Sequence, residues 1–307
     1  MLENKVVLQG ICILLLIIGE VLIIITTMLY KKLLKKNQEA TYTPFITDKK
    51  QQYILLGLLY TFVLGYLIGI VNTLLREATF TTVYFSVVFF LGSCSLYFII
   101  NSLLGMEKML QKKNIEIMKT FVNSIDLKDR YTKGHSMHVY AIIKVFYDYL
   151  PEKYKKQLNR SKLLDAAMLH DIGKISISDK LLNKMDELTP EEWDTIKKHP
   201  WEGKRMLDDT CFREISDWVL CHHERMDGKG YYSIKADKIP LESRIITIAD
   251  TYSAICTHRT YRARMPHNSA LAIMNNERGT QFDEELLDCF SSIPSQEIVR
   301  LFDTMGE

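Results

Sequence analysis

The sequence predicts an all-α protein, with three N-terminal transmembrane helices followed by an all-helical soluble domain. Residues 1–105 are mostly apolar, whereas residues 106–307 have the mixed composition of a soluble domain. The first part contains three apolar stretches, each long enough to cross a bilayer. The second part shows apolar residues at helical spacing between short polar loops, and few of the alternating runs that indicate strands.

The predicted membrane spans cover about residues 6–29, 53–75 and 82–104. A soluble bundle would need polar helix faces, and these segments offer almost none. The first segment is too apolar over too great a length for a cleaved signal peptide, and no small-residue cleavage site follows it. We therefore expect a lipid bilayer to surround this region.

The distribution of lysine predicts how the spans are oriented. The loop after the first span contains Lys31, Lys32, Lys35, Lys36, Lys49 and Lys50, and more lysines follow the third span. The short link of residues 76–81 is nearly uncharged. Because cytoplasmic loops carry the excess of positive charge, the sequence predicts a multi-pass protein of the cell (inner) membrane. Its N-terminus would lie outside and its soluble domain in the cytoplasm.

Residues 106–125 are predicted to form a linker helix, and residues 126–307 the soluble domain. Apolar residues recur along the linker, which could couple the membrane region to the domain and pair with its copy in a homodimer. The repeat is too short and irregular to define a coiled coil.

Overall composition excludes several classes of function. The formal net charge is only +2, so no surface for a nucleic acid polymer is expected. The six cysteines are scattered and contain no Cys-x-x-Cys pair, which argues against a disulfide framework and against a thiolate metal site.

Two adjacent histidines, His222 and His223, end an apolar run and precede a turn bracketed by glycines. Alone, they could be a helix C-terminus with histidines near the dipole. Other separate helical segments, however, supply further good metal ligands, which are His135, His170, Asp171, His199 and Asp250. Mixed imidazole and carboxylate ligation suits iron or manganese better than calcium or magnesium, and zinc also fits.

Several motifs together resemble the HD-GYP family of cyclic di-GMP phosphodiesterases, a branch of the HD hydrolase superfamily. The resemblance covers about residues 120–290. Its motifs follow the family order and are Asp129-Arg130-Tyr131-Thr132-Lys133-Gly134-His135-Ser136, His170-Asp171-Ile172-Gly173-Lys174, Leu188-Thr189-Pro190-Glu191-Glu192-Trp193, His199-Pro200, His222-His223-Glu224, Asp227-Gly228-Lys229-Gly230-Tyr231, Ala249-Asp250, Arg259-Thr260-Tyr261-Arg262 and Gly279-Thr280-Gln281-Phe282-Asp283.

The resemblance implies two divalent metal ions that share Asp171 as a bridging ligand. One ion would be bound by His135, His170, Asp171 and Asp250, and the other by Asp171, His199, His222 and His223. Lys174 would contact substrate phosphate or orient the nucleophile, and Arg259, Tyr261 and Arg262 would lie near the nucleotide. A third ion, held in some members by a glutamate, is not expected because Arg130 occupies that position.

The implied activity is hydrolysis of cyclic di-GMP to pGpG, GMP or both, with a diguanylate cyclase (GGDEF) protein as a potential partner. The sequence departs from the family at Tyr232, where a proline is usual, and at His258, where an aspartate is usual. Two alternatives therefore stay open. These are a receptor that binds cyclic dinucleotides without turnover, and a phosphodiesterase for cyclic GMP-AMP.

Several single residues carry expectations of their own. Thr189 is predicted to cap a helix that carries His199 near its end. Glu224 is expected either to orient one of the adjacent histidines or to lie on the surface. His138 and His258, on predicted helical or turn segments, and His267, in a predicted loop, are expected to be surface or satisfied polar residues.

Overall fold

The computed structural model describes residues 2–39, 49–76, 79–129, 134–256 and 265–304. This part of the chain is helical and contains no strand, which confirms the predicted all-α class. The helices are α1 Leu2–Glu39, α2 Lys49–Leu75, α3 Phe80–Lys128, α4 His135–Tyr149, α5 Glu152–Lys155, α6 Arg160–Leu169, α7 Asp179–Leu182, α8 Pro190–Ile196, α9 His199–Asp208, α10 Ser216–Leu220, α11 Leu241–Cys256, α12 His267–Asn275, α13 Glu284–Ser291 and α14 Ser295–Thr304.

The chain divides into two compact units, Met1–Asn114 and Ile115–Glu307, and the division falls within α3. The first unit has three helices that are long and apolar enough to cross a membrane. Each of them continues past the predicted span as a polar helical end. Lys31, Lys32, Lys35 and Lys36, which were predicted to lie in a loop, are therefore part of α1.

The first unit is held together by contacts that lipid cannot replace. The Tyr66 hydroxyl lies 2.6 Å from Ser93 Oγ, and the Tyr66 ring covers Gly19, where a Cβ would lie 2.4 Å from the Tyr66 hydroxyl oxygen. Many large apolar side chains point away from this core, among them Leu75 and Phe80 with 79% and 85% exposure. Exposed apolar area of this extent is typical of helices that face lipid.

In the second unit, α4 packs against α6, α11 and α14. Its apolar face, which includes Ile142 and Phe146, is fully buried, and the Phe146 ring meets Phe290 of α13 edge to face at 5.0 Å. This core fixes the ends of several helices beside one another. Most of the predicted metal ligands lie at those ends.

The boundary between α8 and α9 differs from the prediction. Thr189 does cap α8, and it forms the predicted reciprocal capping box with Glu192. However, α8 ends at Ile196, and His199 is the first residue of α9 instead of lying near the end of α8. Pro200 explains the difference, because proline is tolerated in the first turn of a helix but not in its interior.

Candidate metal centre

Helix ends supply most of the predicted ligands. His135 begins α4, His170 and Asp171 follow α6, His199 begins α9, and the pair His222 and His223 follows α10. Asp250 is the exception, because it lies within α11. Each side chain is buried or largely buried.

These side chains form two groups in which the potential ligand atoms lie within 4.8 Å of one another. One group contains His135, His170 and Asp250, and the other contains Asp171, His199, His222 and His223. The remaining predicted site residues, Arg259, Tyr261 and Arg262, lie outside the described residues, as do Arg130 and His258.

Asp171 lies between the two groups. Its Oδ1 atom is 3.2 Å from His199 Nε2 and 4.0 Å from His222 Nε2, and its Oδ2 atom is 3.5 Å from His170 Nε2. Each carboxylate oxygen therefore faces a different group, which is the arrangement that a bridging ligand requires.

Backbone carbonyls fix the ring orientation of three histidines. The Nδ1 atoms of His170, His199 and His222 lie 2.7, 2.9 and 2.6 Å from the carbonyl oxygens of Ala167, Ile196 and Val219. A carbonyl only accepts, so each Nδ1 carries the proton. In the neutral rings each Nε2 then presents a lone pair, the form in which imidazole binds metals.

The Nε2 lone pairs point into a space that suits a cation. His170 Nε2 is buried and has no hydrogen-bond partner among the described residues. His199 Nε2 lies 3.4 Å from His222 Nε2. Two lone pairs facing each other at this distance repel, and neither nitrogen can donate to the other, whereas a divalent metal ion would accept both. The donor set thus fits metal ions.

Burial favours the neutral form of three of the histidines. It lowers the pKa of His170 and His222, and it lowers the pKa of His223 to about 3. Burial would raise the pKa of Asp171, but the Lys174 ammonium beside it and the neighbouring imidazoles hold that pKa well below its usual range. Neutral imidazoles and ionised carboxylates are the protonation states that metal binding requires.

The His135 imidazole contacts two side chains of α11. His135 Nε2 is 2.8 Å from Asp250 Oδ1, and its Nδ1 is 3.0 Å from Ser253 Oγ, one turn further along α11. His223 Nδ1 lies 3.9 Å from Asp250 Oδ2, so the two groups meet at Asp250 as well as at Asp171.

Gly173 permits the close approach of the segments that carry the ligands. A Cβ at this position would lie 1.9 Å from the carbonyl oxygen of His199 and 2.5 Å from the Gly203 nitrogen. Any side chain would therefore push α9 away from the short 3-10 helix Ile172–Ser176 and separate His199 from Asp171.

Lys174 points toward the site and does not cap a helix. Its Nζ atom lies 2.7 Å from Asp171 Oδ2 and 3.4 Å from Asp129 Oδ2, and these carboxylates outweigh burial to raise the pKa of Lys174. Asp129 is itself buried, with 5% exposure. In the sequence Asp129 stands out only as part of a motif, and its contact with Lys174, 45 positions away, was not predicted.

The end of α3 also contacts the segment that follows Lys174. The Lys128 ammonium donates to the carbonyl oxygens of Ile175, at 2.7 Å, and of Ile177, and Asn183 Nδ2 donates to the Lys128 carbonyl at 2.8 Å. The last turn of α3 thus holds the backbone of this segment in place.

Both expectations for Glu224 were wrong. Glu224 is buried, with 2% exposure, and its carboxylate accepts the backbone N–H groups of Tyr232 at 2.7 Å and Ile234 at 2.8 Å. It therefore shapes the loop after the adjacent histidines instead of orienting either ring. The N–H of Tyr232, which the usual proline would lack, is one of the two donors.

The remaining single histidines are both packed. His138 is buried on α4 with 3% exposure, so it is not a surface residue. His267 begins α12 instead of lying in a loop, and its Nδ1 is 2.7 Å from the Tyr252 hydroxyl. Neither belongs to the two ligand groups.

Comparison with known proteins identifies a family for this arrangement. The profile of the HD domain family matches residues 120–286, more than half of the chain. The 3′3′-cGAMP-specific phosphodiesterase 3 of Vibrio cholerae is 36% identical over 180 residues, covering 58% of this chain and 38% of that protein. A cyclic di-GMP phosphodiesterase of Pseudomonas aeruginosa is 36% identical over 167 residues, covering 53% and 39%.

A third relative is the cyclic di-GMP phosphodiesterase response regulator RpfG of Xanthomonas campestris, which is 39% identical over 127 residues, covering 40% of this chain and 34% of that protein. The matches thus span about two fifths or less of the length of these relatives. Residues 120–286 contain all seven predicted metal ligands.

Proposed function

The chain belongs to the HD domain family, and from this we propose that it is a membrane-anchored, metal-dependent phosphodiesterase that hydrolyses cyclic di-GMP to pGpG, GMP or both. The observation that carries the proposal is the pair of buried ligand groups facing the two oxygens of Asp171. The names of the relatives support the class of substrate, since each describes a phosphodiesterase of a cyclic dinucleotide.

Two divalent ions, with iron or manganese favoured, would be held by the two groups, with Asp171 common to both. When bound, such ions supply a nucleophilic water at neutral pH and neutralise charge that develops on the phosphoryl oxygens. The protein contributes fixed imidazoles, whose Nδ1 protons are committed to backbone carbonyls. It also contributes Lys174, a largely buried cation with 14% side-chain exposure, which can contact a phosphate oxygen of the substrate.

Asp129 is proposed to position Lys174, and Asp129→Asn tests that role. We expect the kcat for the cyclic dinucleotide to fall by about 10- to 100-fold. This is the loss seen when the hydrogen-bond partner that orients a functional side chain is removed. Metal content should stay unchanged, and Asp129→Glu should restore part of the rate. Asp179→Asn is the matched control, because the Asp179 carboxylate is exposed and its one ion pair among the described residues is with the Lys128 ammonium, at 3.5 Å. Loss of metal in Asp129→Asn would instead indicate a role in building the metal centre.

Turnover by the full chain in detergent tests the proposed function directly. We expect release of pGpG or GMP from cyclic di-GMP, together with about two metal ions per chain by elemental analysis. Removal of metal with a chelator should abolish turnover, and adding back iron or manganese should restore it. A metal-loaded chain that binds cyclic dinucleotides without cleaving them would be a receptor instead.

Cyclic GMP-AMP is a second candidate substrate. The observation that favours it is the 36% identity to the 3′3′-cGAMP-specific relative. The same assay should therefore include 3′3′-cGAMP, and the ratio of kcat/KM for the two dinucleotides decides between them.

We further propose that α1, α2 and α3 cross the cell membrane with the N-terminus outside and the catalytic domain in the cytoplasm. Lysines at the ends of α1 and α2, and in α3 beyond the third span, support this orientation. A reporter fused after Gly105 should be active in the cytoplasm, and one inserted within residues 76–81 should be active outside. The opposite pattern would reverse the topology.

Homodimerisation through the linker part of α3 is part of the same proposal. The exposed apolar side chains of this stretch support it, and these are Met106, Met109, Leu110, Ile117 and Phe121. Clusters of exposed apolar side chains are typical of interaction surfaces. A diguanylate cyclase (GGDEF) protein is a further proposed partner, and it rests on the family resemblance alone.

A further inference from the structure

Beside the metal centre lies a rim formed by Trp193, Lys197 and Tyr231, none of which is a potential metal ligand. Tyr231 is the inner part, because its ring packs on the His223 imidazole with centroids 4.6 Å apart and planes inclined by 37°. The Tyr231 ring also meets His199 edge to face at 6.4 Å. Tyr231 therefore borders the ligand group that contains both of these histidines.

Lys197 and Trp193 extend the rim outward. The Lys197 ammonium lies 6.0 Å from the Tyr231 ring centroid and 6.0 Å from the Trp193 ring centroid. The Trp193 side chain is 43% exposed, which is unusual for the largest apolar side chain. The ammonium also lies 3.7 Å from Asp194, but that carboxylate is 71% exposed, and such ion pairs contribute little.

The two segments that carry the rim are fastened together by Tyr232. Its hydroxyl donates to the carbonyl of Lys197 at 2.8 Å and accepts the backbone N–H of Trp201 at 3.3 Å. The C-terminal end of α8 is thereby tied to the loop that presents Tyr231. A surface that is fixed before the ligand arrives loses little entropy on binding.

We propose that this rim binds a guanine ring of the substrate, an inference that rests on the proposed function. A cyclic dinucleotide has two bases that project from a ring of phosphates and sugars. When one phosphodiester lies at the metal centre, a base can extend onto the rim and stack on the Trp193 indole. The Lys197 ammonium would then donate to the O6 and N7 acceptors of guanine.

This chemistry makes Lys197 a determinant of base specificity. Guanine presents two acceptors on this edge, whereas adenine presents one acceptor and an amino group, which a lysine ammonium cannot use as an acceptor. The rim should therefore accept cyclic di-GMP and the guanine half of 3′3′-cGAMP, and it should disfavour cyclic di-AMP.

Steady-state kinetics of the full chain test the stacking contact. Trp193→Ala should raise the KM for cyclic di-GMP by about 5- to 100-fold, the loss associated with one stacked base, with much less change in kcat. Trp193→Phe should recover most of the affinity, because it keeps an aromatic face. Methyl 4-nitrophenyl phosphate, a small phosphodiester without a base, is the reference substrate. The kcat/KM for cyclic di-GMP divided by the kcat/KM for this reference substrate should be lower in Trp193→Ala than in wild type.

Lys197→Met tests the specificity. This substitution should lower the preference for cyclic di-GMP over cyclic di-AMP by about 5-fold or more, in line with the loss of one contact to a base edge. Trp201→Ala is the matched control, because Trp201 is similarly exposed, at 48%, and lies outside the rim, and alanine keeps the backbone N–H that donates to the Tyr232 hydroxyl. It should leave both KM and base preference unchanged.

Three outcomes would overturn the inference. If wild type is active but Trp193→Ala keeps the KM of wild type, the rim does not bind the base and the proposed function stands. If Trp193→Ala lost kcat/KM equally for cyclic di-GMP and for methyl 4-nitrophenyl phosphate, the substitution would act through the fold or the metal centre and not through the base. If wild type neither cleaves cyclic di-GMP nor binds it in a direct titration, the proposed function fails and the rim assignment fails with it.

Discussion

Replacing Asp171 with alanine should remove both metal ions and abolish phosphodiesterase activity. The carboxylate faces both ligand groups, so its loss takes one donor from each ion. Losing even an outer partner of a metal ligand weakens binding by about 10- to 100-fold, and losing a direct ligand should cost at least as much. The substitution also leaves the largely buried Lys174 ammonium without its nearest carboxylate.

Elemental analysis and turnover of the purified full chain measure this effect. Asp148→Ala is a suitable control, because that carboxylate is 62% exposed on α4 and, among the described residues, forms an ion pair with Arg160 alone. Circular dichroism should show the same helicity in both variants. If the Asp171 variant kept its full metal content, the bridging role would be wrong.

The second large effect is the loss of one metal ion, and the ion that is lost should depend on which histidine is replaced. His223→Ala should release the ion of the group that contains Asp171, His199 and His222, leaving about one ion per chain. His135→Ala should release the other ion and retain this one. Turnover should collapse in both variants, because the proposed chemistry needs two ions.

His223 is the better first choice of the adjacent pair. Its side chain is 26% exposed, whereas that of His222 is fully buried, so truncation at His223 leaves a smaller cavity. His138→Gln is the matched control, a buried histidine of α4 outside both groups. Two ions and normal turnover in His223→Ala would show that this histidine is not a ligand.

Composition and motif order predicted the fold class well because both signals are local. The apolar segments predict long helices, and the capping box at Thr189 predicts the start of α8. The position of His199 was mispredicted because Pro200 could follow the end of one helix or open the next. The sequence alone does not show at which residue α8 ends and α9 begins.

The metal-ligand residues could also be predicted from the sequence, but the contacts that hold them in place could not. The contact between Asp129 and Lys174 is a tertiary one between the end of α3 and the segment after α6. The requirement for Gly173 arises from the distance to α9, which no local pattern encodes. Glu224 was misassigned because a glutamate beside two histidines suggested a partner for a ring, whereas the loop folds back to supply two backbone donors.

Tyr232 and Glu224 form a small epistatic unit. Substitutions toward a family motif often stabilise a protein, and the HD-GYP motif that this stretch resembles has proline in place of Tyr232. Here that change would delete the N–H that Glu224 accepts, and the buried carboxylate would keep only the donor of Ile234. The Tyr232 hydroxyl that fastens Lys197 would disappear as well. Tyr232→Pro would thus be destabilising unless Glu224 changed with it, so the effect of a substitution at either position depends on the residue at the other.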